Sequence, residues 1–176
     1  MDDDQIQAVV AIIAALAFLA LFLVPLVGFF IYAFYQKATR NRAREAALRA
    51  NQQVIGNNPW FPVRYASERR FKAFFKIFPW EYGGILVMLP GSVLFFGPTL
   101  SGQPVAQQFA PGNSTLNWLG KAPWPNGAVS WFYFATSFEK HYFSSETGIL
   151  IFGSHKSTRA IFEEAYRSFQ APSPNL

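Results

Sequence analysis

Few side chains in this sequence are equipped for chemistry. Beyond residue 76 the carboxylates are five glutamates, Glu81, Glu139, Glu146, Glu163 and Glu164, and the three aspartates, Asp2, Asp3 and Asp4, stand at the start of the chain. Histidine occurs twice, as His141 and His155, without the neighbouring ligands that a metal site needs. No cysteine is present, which removes disulfides, thiolate metal sites and Cys nucleophiles. A P-loop, a Gly-x-Ser-x-Gly elbow and a Rossmann glycine set are all missing. The expectation is therefore no enzyme, no metal and no cofactor. The groups left for recognition are cations and rings: 18% of the chain is aromatic, twenty Phe included, so some rings are expected to meet lipid or a partner.

The element that must position them comes first. Residues 8–35 read AVVAIIAALAFLALFLVPLVGFFIYAFY, with no charge between residues 5 and 36. A bilayer core of about 30 Å needs roughly 20 apolar helical residues, so this run predicts one transmembrane helix. Its acidic front, its length and its aromatic end are unlike a signal peptide, which is basic at the front and short. Lys37, Arg40, Arg42, Arg44 and Arg49 follow the run and no cation precedes it. Lys and Arg beside a span stay cytoplasmic. Residues 1–7 are thus expected outside or in the periplasm, and the rest of the chain in the cytoplasm.

Charge is partitioned along the chain. Residues 37–76 hold ten Lys/Arg against Glu45 and Glu68, whereas residues 77–176 balance five cations with five glutamates. Basicity next to a span favours anionic lipid, at about 1 kcal/mol per cation near the surface. It does not favour nucleic acid, for which the folded domain itself would need a basic face. Residues 36–58 are expected to prolong the helix as a basic juxtamembrane stretch that ends at Gly56-Asn57-Asn58-Pro59. Over 67–78, Ser67 stands as a cap, Phe71, Phe74, Phe75 and Phe78 recur at helical spacing, and Arg69, Arg70, Lys72 and Lys76 fill the remainder. That pattern suits an interfacial or partner-binding helix and also one packed on its own core.

From Gly83 the period changes. GGILVML and SVLFFG flank Pro90-Gly91 as a hairpin; VSWFYFAT, EKHYFSS and GILIFG read as three further strands. Between them, residues 98–127 form a long Pro/Gly-rich insertion holding Trp118 and Trp124. A C-terminal helix starts near Ser157, with Thr158, Ile161, Phe162, Ala165 and Phe169 on one face, and residues 171–176 are a tail. The fold class expected is α+β: an N-terminal transmembrane helix, then a small antiparallel β domain over 59–170 capped by an amphipathic helix.

GILVMLPGSVLFFG resembles the opening hairpin of bacterial pleckstrin-homology-like (GRAM/PH-like) domains, and HYFSSETGILIFGSHKSTRAIFEEAYRSF resembles their closing strands and capping helix. The resemblance covers about residues 80–170. It implies a half-barrel sheet and a bacterial inner-membrane setting. The 98–127 insertion departs from the family pattern, and Pro90-Gly91-Ser92 lacks the basic character of headgroup-binding turns, so phosphoinositide binding is not carried over.

Two functional expectations follow. The first is a non-enzymatic accessory or scaffold subunit that stabilises a larger integral-membrane complex, a respiratory or photosynthetic assembly being a natural host. Its partner contacts would be Phe71, Phe74, Phe75, Phe78, Trp118 and Trp124. The second is a free membrane-anchored module binding a soluble partner or anionic lipid, with Lys37, Arg40, Arg42, Arg44, Arg69, Arg70, Lys72 and Lys76 as the lipid contacts.

Overall fold

A computed structural model describes residues 2–74, 76, 78–98, 104–122, 129–147 and 155–172. The chain divides into two compact units, Met1–Ala38 and Thr39–Leu176. The first is helical from Asp3 onward and belongs to α1 (Asp3–Ala50), which carries Pro25 internally. An 18-residue window there has a mean hydropathy of 3.0, so this helix is long and apolar enough to cross a membrane.

The second unit begins with the end of α1 and a short α2 (Gln52–Ile55). β1 (Trp60–Ser67), α3 (Glu68–Lys72), β2 (Tyr82–Leu89), β3 (Ser92–Pro98), β4 (Pro104–Phe109), β5 (Ser114–Lys121), β6 (Ser130–Thr136), β7 (Lys140–Ser145) and α4 (His155–Gln170) follow. The seven strands form one antiparallel, curled half-barrel in the order β4-β3-β2-β1-β7-β6-β5. The expected α+β class is what the chain adopts. The expected strand over 148–153 lies outside the described residues.

Three departures from the sequence pattern have physical causes. β1 is central, between β2 and β7, although its sequence WFPVRYAS carries Pro62 and Arg64. A proline normally argues against a central strand because it cannot donate to a ladder. Here β7 ends at Ser145 opposite Val63, so Pro62 lies just past that ladder, and its carbonyl accepts from the Glu146 amide. Second, the insertion over 98–127 contains β4 and β5 within its described part. They are the two edges of the sheet, and edge strands are polar and half exposed, which hides them in a hydropathy pattern. Third, the Phe-rich helix over 67–78 stops at Lys72, and Ala73 leaves helical geometry at φ −61°, ψ 132°. Ser67 does cap it, its hydroxyl accepting from the Arg70 amide. Lys76 turns back to donate to the carbonyls of Arg70 and Phe71 at 3.0 and 2.7 Å, satisfying the open helix end.

β2 reads as an unbroken apolar run because both of its faces are covered. Leu86 and Met88 point into a core with Val63, Phe95 and Phe143, sealed by Ile161, Ala165 and Phe169 of α4. Ile85 and Val87 point the other way and join Phe96 and Ile55 under Ala47 and Leu48 of α1. α4 is tied at both ends: Thr158 Oγ1 accepts from the Ser145 amide, and the Ser168 carbonyl accepts from Gly91. Gly91 makes the β2–β3 turn at φ 76°, and Gly120 (φ 77°) follows a register shift in β5, conformations that other residues adopt at a cost.

Candidate functional site

Three charged residues, Arg40, Arg64 and Glu146, gather in one buried cluster. Arg40 donates through Nε and Nη2 to the Glu146 carboxylate, with Nη2 3.1 Å from Oε1, and Arg64 Nε donates to Oε2 at 3.3 Å. All three side chains are buried. The Trp80 ring lies 4.3 Å from the Arg64 guanidinium and 5.2 Å from that of Arg40, adding a cation–π face. Burial lowers the Arg64 pKa, and the Glu146 charge opposes that shift. Gly83 sits opposite Arg64 in the ladder; a Cβ there would come 3.1 Å from Arg40 Cβ. The cluster clamps the end of α1 onto β1 and the end of β7; two guanidiniums share one carboxylate, and the buried Arg64 Nη1 has no hydrogen-bond partner among the described residues.

A second polar group lies inside the half-barrel. The Gln107 amide nitrogen is 2.9 Å from His141 Nε2, and His141 Nδ1 is 3.0 Å from the Tyr65 hydroxyl. With Gln107 as donor, Nε2 accepts and Nδ1 carries the proton, so the ring is neutral. Burial lowers the His141 pKa while Glu139, 3.5 Å away, raises it. The Tyr82 hydroxyl beside Tyr65 is pushed up to about 12, chiefly by burial. Among the described residues no group of three or more His, Cys, Asp and Glu side chains is placed to hold a metal ion.

The residues singled out from sequence separate into three groups. Arg40, expected at lipid, and Phe78, expected at a partner, are buried in the domain. Arg40 is drawn inward by Glu146, and Phe78 stacks on Trp80 at 5.2 Å. Phe71 and Trp118 also pack within the domain. Phe71 stacks on Tyr142 at 3.9 Å, and Trp118 packs against Phe162 and the Arg159 guanidinium. Arg70 donates to the Phe78 carbonyl, and Lys76 to the two helix-end carbonyls. Phe74, Arg42, Arg69 and Lys72 are exposed, and Lys37 and Arg44 are half-buried. Phe75 and Trp124 lie outside the described residues.

The residue that pattern reasoning missed is Phe138. It occupies the tip of the β6–β7 turn and is 97% exposed. Its signal was legible: Ser137-Phe138-Glu139 joins two strands, and an aromatic at a turn tip has no core to enter. The turn abuts α3, whose Glu68 accepts from the Lys140 amide at 3.2 Å and pairs with Lys72 at 2.6 Å. Phe74, 64% exposed, follows the same helix. Two exposed rings and the cations Arg69, Lys72 and Lys140 thus flank one contact between α3 and β7.

No protein-family model, curated protein or solved structure matches this chain. The description rests on its own geometry. The long apolar helix and the curled antiparallel half-barrel fit a PH-like arrangement.

Proposed function

We propose that this chain is a single-pass membrane accessory subunit of the PH-like kind, whose domain binds a larger integral-membrane assembly on the cytoplasmic side. The observation that carries the reading is Phe138, almost fully exposed at the turn beside α3, with Phe74 exposed just after that helix. Burying a Phe side chain is worth about 1.5–3 kcal/mol. Leaving Phe138 97% exposed forgoes that gain in the isolated chain. Aromatic side chains and Arg are enriched at protein interfaces. The cytoplasmic side follows from the cations after residue 36, and protease added outside sealed vesicles should spare the domain.

The test is extraction in mild detergent, native electrophoresis and mass spectrometry of the comigrating bands. The chain should travel with a large complex, and Phe138→Ser should release most of it. Migration of the wild-type protein as a lone 19.8 kDa species would sink the reading. A second reading, a free module held on anionic lipid, draws support from the exposed Arg42, Arg69 and Lys72. It predicts binding to anionic vesicles that fades with salt.

A further inference from the structure

The domain carries a groove beside α1 of which the lipid reading uses only Arg42. The last turns of α1 form one wall, where Ala43, Ala46, Ala47 and Ala50 leave room that larger side chains would fill. The opposite wall is Phe96, Gly97 and Pro98 at the end of β3, with Pro104, Val105 and Ala106 of β4. Its volume is about 800 Å³, within the range of ligand pockets, and its walls are mainly apolar. Its charged groups are Arg42 and Glu81. Among the described residues Arg42 makes no ion pair or hydrogen bond, whereas Arg40 and Arg49 are paired with Glu146 and Glu45. Glu81 accepts from the Ser67 hydroxyl at 2.7 Å and keeps a carboxylate oxygen for another donor.

We infer that the groove holds an aminophospholipid. One acyl chain lies between the alanine wall and the Phe96/Val105 wall, the phosphate meets Arg42, and the headgroup ammonium meets Glu81. Position in the chain favours this occupant over a water-borne apolar molecule. Thr39, which lines the groove, comes four residues after Tyr35, the last ring of the apolar run. Four residues span at most about 14 Å in any conformation, and lipid headgroups extend roughly 5–7 Å beyond the hydrocarbon core. A bilayer spanned by the apolar run would thus have its headgroups within chain reach of Thr39. Charge complementarity selects the headgroup: a phosphate alone would leave Glu81 facing an anion, whereas an amino headgroup answers both side chains.

The inference needs no host complex, so it stands or falls separately from the accessory-subunit reading. The full chain is placed in nanodiscs of phosphatidylcholine with a minor fraction of phosphatidylethanolamine bearing a photoactivatable acyl chain. After illumination the cross-linked peptides are mapped. Lipid adducts are expected on 39–51 and 96–106, and they should persist in about 1 M salt, where screening removes purely electrostatic contacts. Ala46→Phe, which fills the groove from its exposed side, should cut these adducts about tenfold, a loss of about 1.4 kcal/mol in affinity. Arg42→Gln should weaken them and remove the preference over a phosphatidylcholine probe. Val105→Trp fills the groove from the other wall if Ala46→Phe fails to fold. Adducts confined to residues 8–35, adducts unchanged by both filling variants, or cross-links from the groove to a protein in native membranes would each overturn the assignment.

Discussion

Arg40 and Glu146 lie 106 residues apart in sequence and meet through two nitrogens of one guanidinium, with Nη2 3.1 Å from Oε1. The same carboxylate also serves Arg64. Removing one member of a buried ion pair costs about 3–5 kcal/mol, because the charge left behind has no partner. Glu146→Gln strands two guanidiniums, Arg40→Met none. The first should therefore lower the thermal midpoint of the full chain in detergent far more than the second. Equal midpoints for the two variants would show that the carboxylate is not the hub.

Backbone proximity makes a sharper steric prediction at Gly84. A Cβ there would collide with the Phe96 carbonyl oxygen on the neighbouring strand and with the Phe95 ring. Overpacking of this kind costs about 1–3 kcal/mol. Gly84→Ala should destabilise by that amount in a denaturant titration, while Gly112→Ala, with open space around it, should be silent.

His141 gives the fold an acid limit. Burial holds its pKa below the ordinary value in the folded state. As pH falls below about 6.5 the unfolded chain takes the proton first, so stability is lost through that window until the folded histidine titrates as well. A single group contributes a slope of at most about 1.4 kcal/mol per pH unit. Melting at pH 7.5 and pH 5 should show the loss. His141→Gln should be less stable at pH 7.5 and flatter in pH; an equally steep profile in that variant would exclude the histidine as the cause.

Lys76 is held down to about 8, chiefly by burial and then by Arg70. An ordinary lysine titrates near 10.4, so the unfolded chain binds more protons between those values and stability rises with pH across them. A neutral amine is also the nucleophilic form. At pH 8, brief treatment with an acylating reagent should modify Lys76 ahead of Lys72, as read by peptide mass spectrometry.

The two kinds of Phe should separate cleanly. Phe71 stacks on Tyr142, and Phe→Ala at a packed site costs about 3–5 kcal/mol. Phe138 touches solvent, and surface substitutions usually stay within about 0.5 kcal/mol. Phe71→Ala should thus destabilise, whereas Phe138→Ser should leave the melting curve in place. A large loss from Phe138→Ser would mean that the ring packs on the domain.

Sequence pattern reached the elements marked by one apolar run or one simple period. They are the apolar run, the β2–β3 hairpin, β6, β7 and the buried stripe of α4. It failed at β1, where Pro62 and Arg64 look foreign to a central strand until the register shows β7 ending before the proline and Glu146 waiting for the arginine. It failed at β4 and β5 because edge strands are polar by necessity. Phe71, Phe74 and Phe78 kept helical spacing without forming one helix, since Phe71 and Phe78 are claimed by Tyr142 and Trp80. Arg42, Arg69 and Lys72 are exposed, as solvated cations are expected to be, whereas Phe138 sits at a turn tip that no hydropathy period marks.

The covered outer face of β2 has a practical consequence for where this protein can be cut. The compact unit starts at Thr39, inside α1, and Ile85, Val87 and Phe96 depend on Ala47, Leu48 and Ile55 for cover. Trimming back to residue 56 would leave a sticky strip along the half-barrel and strip the Glu146–Arg64 pair of the Arg40 side chain that helps bury it. A water-soluble fragment should instead begin close to residue 39 and keep a piece of the tether as part of its own wall.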